Sequence, residues 1–163
     1  MGNNEKLFSG QSGAHLLALG NQAFARGAIE AGVRLATGYP GTPSTEIMET
    51  LIESAPALGF SAFWSVNEKV AFDVATGAAF SGARTLAVMK HVGLNVAADS
   101  LMQVNLVDIA GGFVLISVDD PGGSSSNNEQ DNRWYAKMAE IPALEPANLD
   151  EAREMVRRAF EFS

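Results

Sequence analysis

The chain contains no cysteine in its 163 residues. That excludes disulfides, thiolate zinc sites and cysteine-held iron–sulfur clusters, and it fits a reducing, cytoplasmic setting. Histidine is scarce, with two in all, and no Gly-x-Ser-x-Gly elbow is present, so a serine hydrolase triad has little support. Basic residues are outnumbered, eleven against nineteen acidic, for a formal net charge of −8. A grip on phosphate backbones would work against that field, which disfavours nucleic acid as a partner. No apolar run reaches the roughly eighteen residues of a membrane span, and Met1 to Gly10 has no signal-peptide core, so membrane insertion and secretion are disfavoured.

What is present reads as one folded domain: 47% hydrophobic, 18% charged, without low-complexity tract, repeat or linker. Residues 1–15 are expected to be a flexible N-terminus and 16–163 the domain. The last helix pattern has no terminal cap, as in a piece of a longer chain. Helix and strand patterns alternate. Asn21 to Ala31 reads as a helix closed by Gly32, and Val33 to Thr37 as a strand. Thr42-Pro43 reads as a cap followed by proline at the first helical position, with Ile47, Met48, Leu51 and Ile52 as the apolar face. A strand over Phe60 to Val66 leads to a helix capped by Asn67 and running through Phe80.

Thr85 to Met89 is the next strand, Asn95 to about Leu106 a helix, and Phe113 to Val118 a strand introduced by Gly111-Gly112. After a long polar loop come a short strand at Ala143-Leu144 and a helix opened by an Asn148/Glu151 capping box. This alternation predicts an α/β fold, a doubly wound parallel sheet with helices on both faces. Ligands of such sheets sit at the carboxyl ends of the strands.

The unusual residues fall in those loops. Glu68 follows an apolar strand end and opens a helix. It is either an acid complementing the helix dipole or, if buried beside Trp64, Val66 and Val70, a proton-donating catalytic carboxyl. Thr42, in Gly38-Tyr39-Pro40-Gly41-Thr42-Pro43-Ser44, is either a plain cap or part of a small-anion site, and no Walker lysine follows it. Lys90 and His91, followed by Gly93 and Asn95, are either a solvated strand end or ligand contacts. His15 reads as an incidental surface residue. The loop from Asp119 to Glu129 lacks calcium-loop spacing and is not taken as a metal site.

Together GYPGTPSTEI at 38 to 47, WSVNEKVA at 64 to 71, MKHVGLNVAAD at 89 to 99 and NEQDNRWYAK at 128 to 137 resemble the alpha subunits of indolepyruvate ferredoxin oxidoreductases. The Tyr-Pro-x-Thr-Pro turn is shared with the wider 2-oxoacid:ferredoxin oxidoreductase family. The resemblance implies a thiamine diphosphate-binding fold of the pyrimidine type. It makes Glu68 the catalytic glutamate that hydrogen-bonds a ring nitrogen of the aminopyrimidine, with Tyr39, Pro40, Gly41, Thr42 and Asn95 around the cofactor. Thr42, Lys90 and His91 would then face the substrate.

The same resemblance implies oxidative decarboxylation of an aryl 2-oxoacid such as indolepyruvate to an acyl-CoA with ferredoxin as acceptor. Magnesium and iron–sulfur clusters would belong to missing domains. The implied partners are the diphosphate-binding and iron–sulfur domains, a beta subunit, ferredoxin, coenzyme A and a second copy in a homodimer. The chain departs from the family pattern at Ser124 and Asn127, where histidine and glutamine are usual. Alternatives are a subunit of a non-oxidative thiamine-dependent decarboxylase and a flavodoxin-like binding module without chemistry.

Overall fold

The computed structural model describes Leu7, Phe8, His15 and residues 17–163. Apart from those three, the expected flexible stretch 1–15 lies outside the described residues; His15 is exposed, as expected. The elements are α1 (Gly20–Glu30), β1 (Leu35–Gly38), α2 (Thr45–Leu58), β2 (Ser61–Trp64), α3 (Glu68–Phe80), β3 (Thr85–Lys90), α4 (His91–Val104), β4 (Phe113–Val118), a short 3₁₀ turn at Pro121–Gly123, α5 (Arg133–Met138) and α6 (Leu149–Phe162).

The four strands form one parallel sheet in the order β2-β1-β3-β4. Side chains alternate across it, as the two-residue strand period requires. Ala36, Leu86, Val88, Val114 and Ile116 pack with α1, α2 and α6 on one face, through Ala25, Ala28, Ile47, Leu51, Val156 and Phe160. On the other face Ala87 and Met89 meet Phe72 of α3, Leu94 of α4 and Leu101 of α4. Phe72 sets its ring edge-on to Phe113, centroids 4.9 Å apart and planes at 85°. The doubly wound α/β expectation is borne out.

Element ends follow local chemistry. Asn67 caps α3 by accepting the Val70 N–H at 2.9 Å, and Asn148 caps α6 by accepting that of Glu151 at 2.9 Å, while Glu151 returns a bond to Ala147 N at 2.8 Å. Gly59 closes α2 in the left-handed region at φ 74°.

Three local expectations are corrected and one element is added. The Thr42-Pro43 bond is cis and α2 begins at Thr45, so Thr42 is not the cap and Pro43 is not the first helical residue. Helix α4 begins at His91, directly from β3, rather than at Asn95, because Leu94 and Ala97 pack into the core from its first turns. No strand forms at Ala143-Leu144: the segment carries no ladder, with Pro142 and Pro146 each lacking an N–H donor. Inside the polar loop a short helix, α5, was not expected.

Candidate functional site at the carboxyl ends of the strands

From β1 the chain moves to β2 by way of α2 on one face, and from β3 it moves to β4 by way of α4 on the other. The neighbours β1 and β3 therefore flank the topological switch point, where α/β sheets open a crevice. Parallel topology brings the first turns of α2, α3 and α4 to this edge, each with free backbone N–H groups.

The turn after β1 is built on Gly41. Its N–H donates to Thr45 Oγ1 at 3.0 Å, and its carbonyl accepts from the N–H and the hydroxyl of Ser44, both at 2.8 Å. Asn21 of α1 reaches in to donate to the Pro43 carbonyl at 2.8 Å and to Glu46 at 2.7 Å. Tyr39, Pro40 and Thr42 are left exposed at the rim, and the Thr42 hydroxyl has no hydrogen bond among the described residues. The ends of β1 and β2 are tied by Thr37 and Ser65, whose hydroxyls lie 2.8 Å apart.

Glu68 opens α3 at the same edge. Asn67 provides the cap, so the Glu68 side chain is released from that duty. It is half-buried, and no hydrogen bond or ion pair engages its carboxylate among the described residues. It lies against Gly93 in the first turn of α4: a β-carbon at 93 would stand 2.6 Å from its Cγ. Val66 beside it is 78% exposed and Val70 37%, so the carboxyl sits in an apolar but open mouth rather than in the buried pocket considered above.

Lys90 and His91 are turned toward the long loop. The Lys90 stem lies against Gly41, where a β-carbon would be 2.7 Å from its Cδ, and its ammonium donates to the Ser125 carbonyl at 2.9 Å. His91 is fully buried, with Nε2 3.1 Å from the Asn128 carbonyl. A carbonyl only accepts, so this contact requires the proton on Nε2, and the buried Nδ1 has no partner among the described residues. Lys90 and His91 thus hold the loop Asp119 to Asn132 over the end of β3.

Within that loop, hydrogen bonds from Ser125 N and the Ser126 hydroxyl, reinforced by the charge of Lys90, hold the Asp120 carboxyl below the usual range. Asn95 points at the loop as well, exchanging hydrogen bonds with Gln130 and accepting from Tyr135 OH at 2.7 Å.

The sequence reading missed Gln130 and Asn132. Both donate to the His91 carbonyl, at 3.0 and 3.2 Å, and Asn132 also reaches Ser117 at 2.6 Å. The signal was the amide-rich stretch 127–132, legible only once the loop was known to fold back on α4. A cavity of about 1130 Å³ runs along β4 under residues 141–146; Gln130 and Asn132 line it, but none of the predicted site residues does. The geometry of the strand ends, rather than volume, identifies the candidate site.

The arrangement fits the pyrimidine end of thiamine diphosphate: at the mouth a carboxylate without a partner among the described residues, and a glycine leaving it room. It contains no acidic cluster suited to magnesium among the described residues.

Comparison with known proteins agrees. The chain is 50% identical to indolepyruvate oxidoreductase subunit IorA of Archaeoglobus fulgidus, covering 93% of this chain and 25% of that one. It is 31% identical to 2-oxoglutarate synthase subunit KorA of Methanocaldococcus jannaschii, covering 88% and 41%. It therefore spans about a quarter of the length of the IorA relatives. The fold matches a solved 2-oxoglutarate:ferredoxin oxidoreductase from Magnetococcus marinus, with TM-score 0.73 at 18% identity over 88% of this chain and 26% of that one. The sequence profile described as pyruvate flavodoxin/ferredoxin oxidoreductase, thiamine diphosphate-binding, matches residues 26–163, and the chain belongs to that family.

Proposed function

We propose that this chain is the pyrimidine-binding domain of a thiamine diphosphate-dependent 2-oxoacid:ferredoxin oxidoreductase acting on an aryl 2-oxoacid such as indolepyruvate. The observation that carries the reading is the Glu68 carboxylate, presented at the switch-point edge without a partner among the described residues. A carboxyl in that position would hydrogen-bond a ring nitrogen of the aminopyrimidine and hold a proton there. When bound, the cofactor supplies the nucleophilic carbon and the electron sink for decarboxylation. Tyr39, Pro40, Gly41 and Thr42 form one wall of the site, and Asn95 orients the loop beside it.

Thr42, with its free hydroxyl, and Lys90, with N–H donors beyond the one given to Ser125, are the proposed contacts for the substrate carboxylate. His91, whose ring is buried, supports the substrate side through the loop it anchors.

A chain without cysteine leaves cluster chemistry to other domains. The proposed unit therefore includes a diphosphate- and magnesium-binding domain, an iron–sulfur domain, a beta subunit, coenzyme A and ferredoxin. Homodimerisation would cover the exposed Val66 and Val70, and a cytoplasmic location suits low-potential clusters. No helix among the described residues is long and apolar enough to cross a membrane. Indolepyruvate is favoured over 2-oxoglutarate by the greater similarity to the IorA subunits.

The test is turnover by the full-length subunit pair with thiamine diphosphate, magnesium, coenzyme A and a viologen acceptor. Indolepyruvate should be oxidised in preference to 2-oxoglutarate, and Glu68→Ala should abolish turnover. Undiminished activity in that variant would reduce Glu68 to an ordinary helix-end acid.

A further inference from the structure

Glycine within a helix is less stable than alanine, so a helical glycine whose backbone is ordinary needs another reason to be there. Gly93 is such a residue. It is buried in the first turn of α4 and is not among the glycines with positive φ. The nearest atoms that a β-carbon at 93 would meet all belong to Glu68: Cγ at 2.6 Å, Oε1 at 2.9 Å and Cδ at 3.1 Å. Gly77 of α3 offers the contrast, since nothing lies within 4 Å of a β-carbon there.

The turn carrying Gly93 is held from the other side. The carbonyl of His91 accepts from both Gln130 and Asn132, and the His91 ring is locked under the Asn128 carbonyl. With α4 fixed by the loop, a side chain at 93 could be accommodated only by moving Glu68. The carboxylate has no hydrogen bond of its own to keep it in place among the described residues, so the bare face of Gly93 is what defines its seat.

We infer that Gly93 is a positioning residue for Glu68, the absence of its side chain setting where the carboxyl meets the pyrimidine. The inference rests on the proposed role of Glu68. It acts through that one side chain, and a displacement of about 1 Å is enough to cost on the order of 100-fold in rate.

The experiment compares Gly93→Ala, Gly77→Ala, Glu68→Ala and the Gly93→Ala/Glu68→Ala double variant in the full-length subunit with its partner. Melting temperature, turnover and thiamine diphosphate affinity by calorimetry are measured for each. Gly77→Ala should retain turnover. Gly93→Ala should lose about 100-fold in turnover, and in the inactive Glu68→Ala background it should cause no further loss of cofactor affinity. Its effect on melting temperature should be more favourable in the Glu68→Ala background, where the atoms it would meet are gone.

Wild-type turnover in Gly93→Ala alongside an inactive Glu68→Ala overturns the role of Gly93 alone. Equal shifts of melting temperature in both backgrounds overturn the contact. Full turnover in Glu68→Ala overturns the functional reading itself.

Discussion

Asn95 and Gln130 form a reciprocal amide pair: Asn95 Nδ2 donates to Gln130 Oε1 at 2.9 Å, and Gln130 Nε2 donates to Asn95 Oδ1 at 2.9 Å. Residues 35 apart in sequence thereby join the first turns of α4 to the loop after β4. The two Nε2 hydrogens of Gln130 are shared among three acceptors, since the His91 carbonyl at 3.0 Å and Asn132 Oδ1 at 2.7 Å lie within reach as well as Asn95 Oδ1. Gln130→Ala should therefore cost about 1–3 kcal/mol, the scale of a few net hydrogen bonds and of acceptors left unpaired. Thermal denaturation gives the magnitude, and faster hydrogen exchange or proteolysis within 119–132 should accompany it. A rigid, protected loop in this variant would contradict the anchoring role.

Lys90 bridges the Gly41 turn and Ser125 while keeping donors free. Lys90→Met preserves the apolar stem against Gly41 and removes the charge. The expected result is a KM for the 2-oxoacid raised about tenfold, the scale of one charge-assisted hydrogen bond, with thiamine diphosphate affinity little changed. Parallel losses of substrate and cofactor binding would instead mark Lys90 as a loop tether only.

Helices α1 and α6 cross at Gly27, where a β-carbon would run into the Arg153 carbonyl. Gly27→Ala should destabilise the fold by about 1–3 kcal/mol despite the better helix propensity of alanine, because the obstacle is backbone and cannot rotate away. A rise in melting temperature would show that the two helices can separate without loss.

Beside that crossing, Glu30 accepts from Arg26 and Arg153, each at 2.6 Å. Burial pushes its carboxyl up, but the two guanidinium groups outweigh it and leave the folded-state value below the ordinary one. A depressed carboxyl contributes stability that is fully present above the unfolded value of about 4.3 and is lost as the pH falls through the lower folded value. Glu30→Gln should therefore flatten the decline of stability in the acid range below about pH 4.3, as measured by denaturant titration at a series of pH values. An unchanged acid limb would assign that decline to other carboxylates.

Much of the architecture was legible because its causes are local. The run from Asn67 to Phe80 was read correctly at both ends: the Asn67 side-chain oxygen accepts from Val70 N–H, and Gly82 takes φ 90° just after the helix. Strand Phe113 to Val118 was read with the right bounds from its unbroken apolar run behind paired glycines. The Asn148/Glu151 box opened α6 as expected. The misreadings lie where distant packing overrules local preference. Asn95, a natural helix cap, was taken for a helix start, but its side chain is engaged with Gln130 and Tyr135. Ala143-Leu144 has strand-like composition, yet the flanking prolines lack the donors for a ladder.

The sequence by itself determined the alternation of strand and helix, hence the parallel sheet and the edge at which a ligand would dock. Hydrophobic period and capping chemistry act over a few residues and need no partner from elsewhere. It also determined that Glu68 stands first in its helix. Only the tertiary structure decided that the Glu68 carboxylate rests against Gly93, that Lys90 and His91 turn to the loop, and that Gln130 and Asn132 hold α4. Those relationships depend on close approach between segments far apart in the chain, where the space around a side chain is set by the fold as a whole.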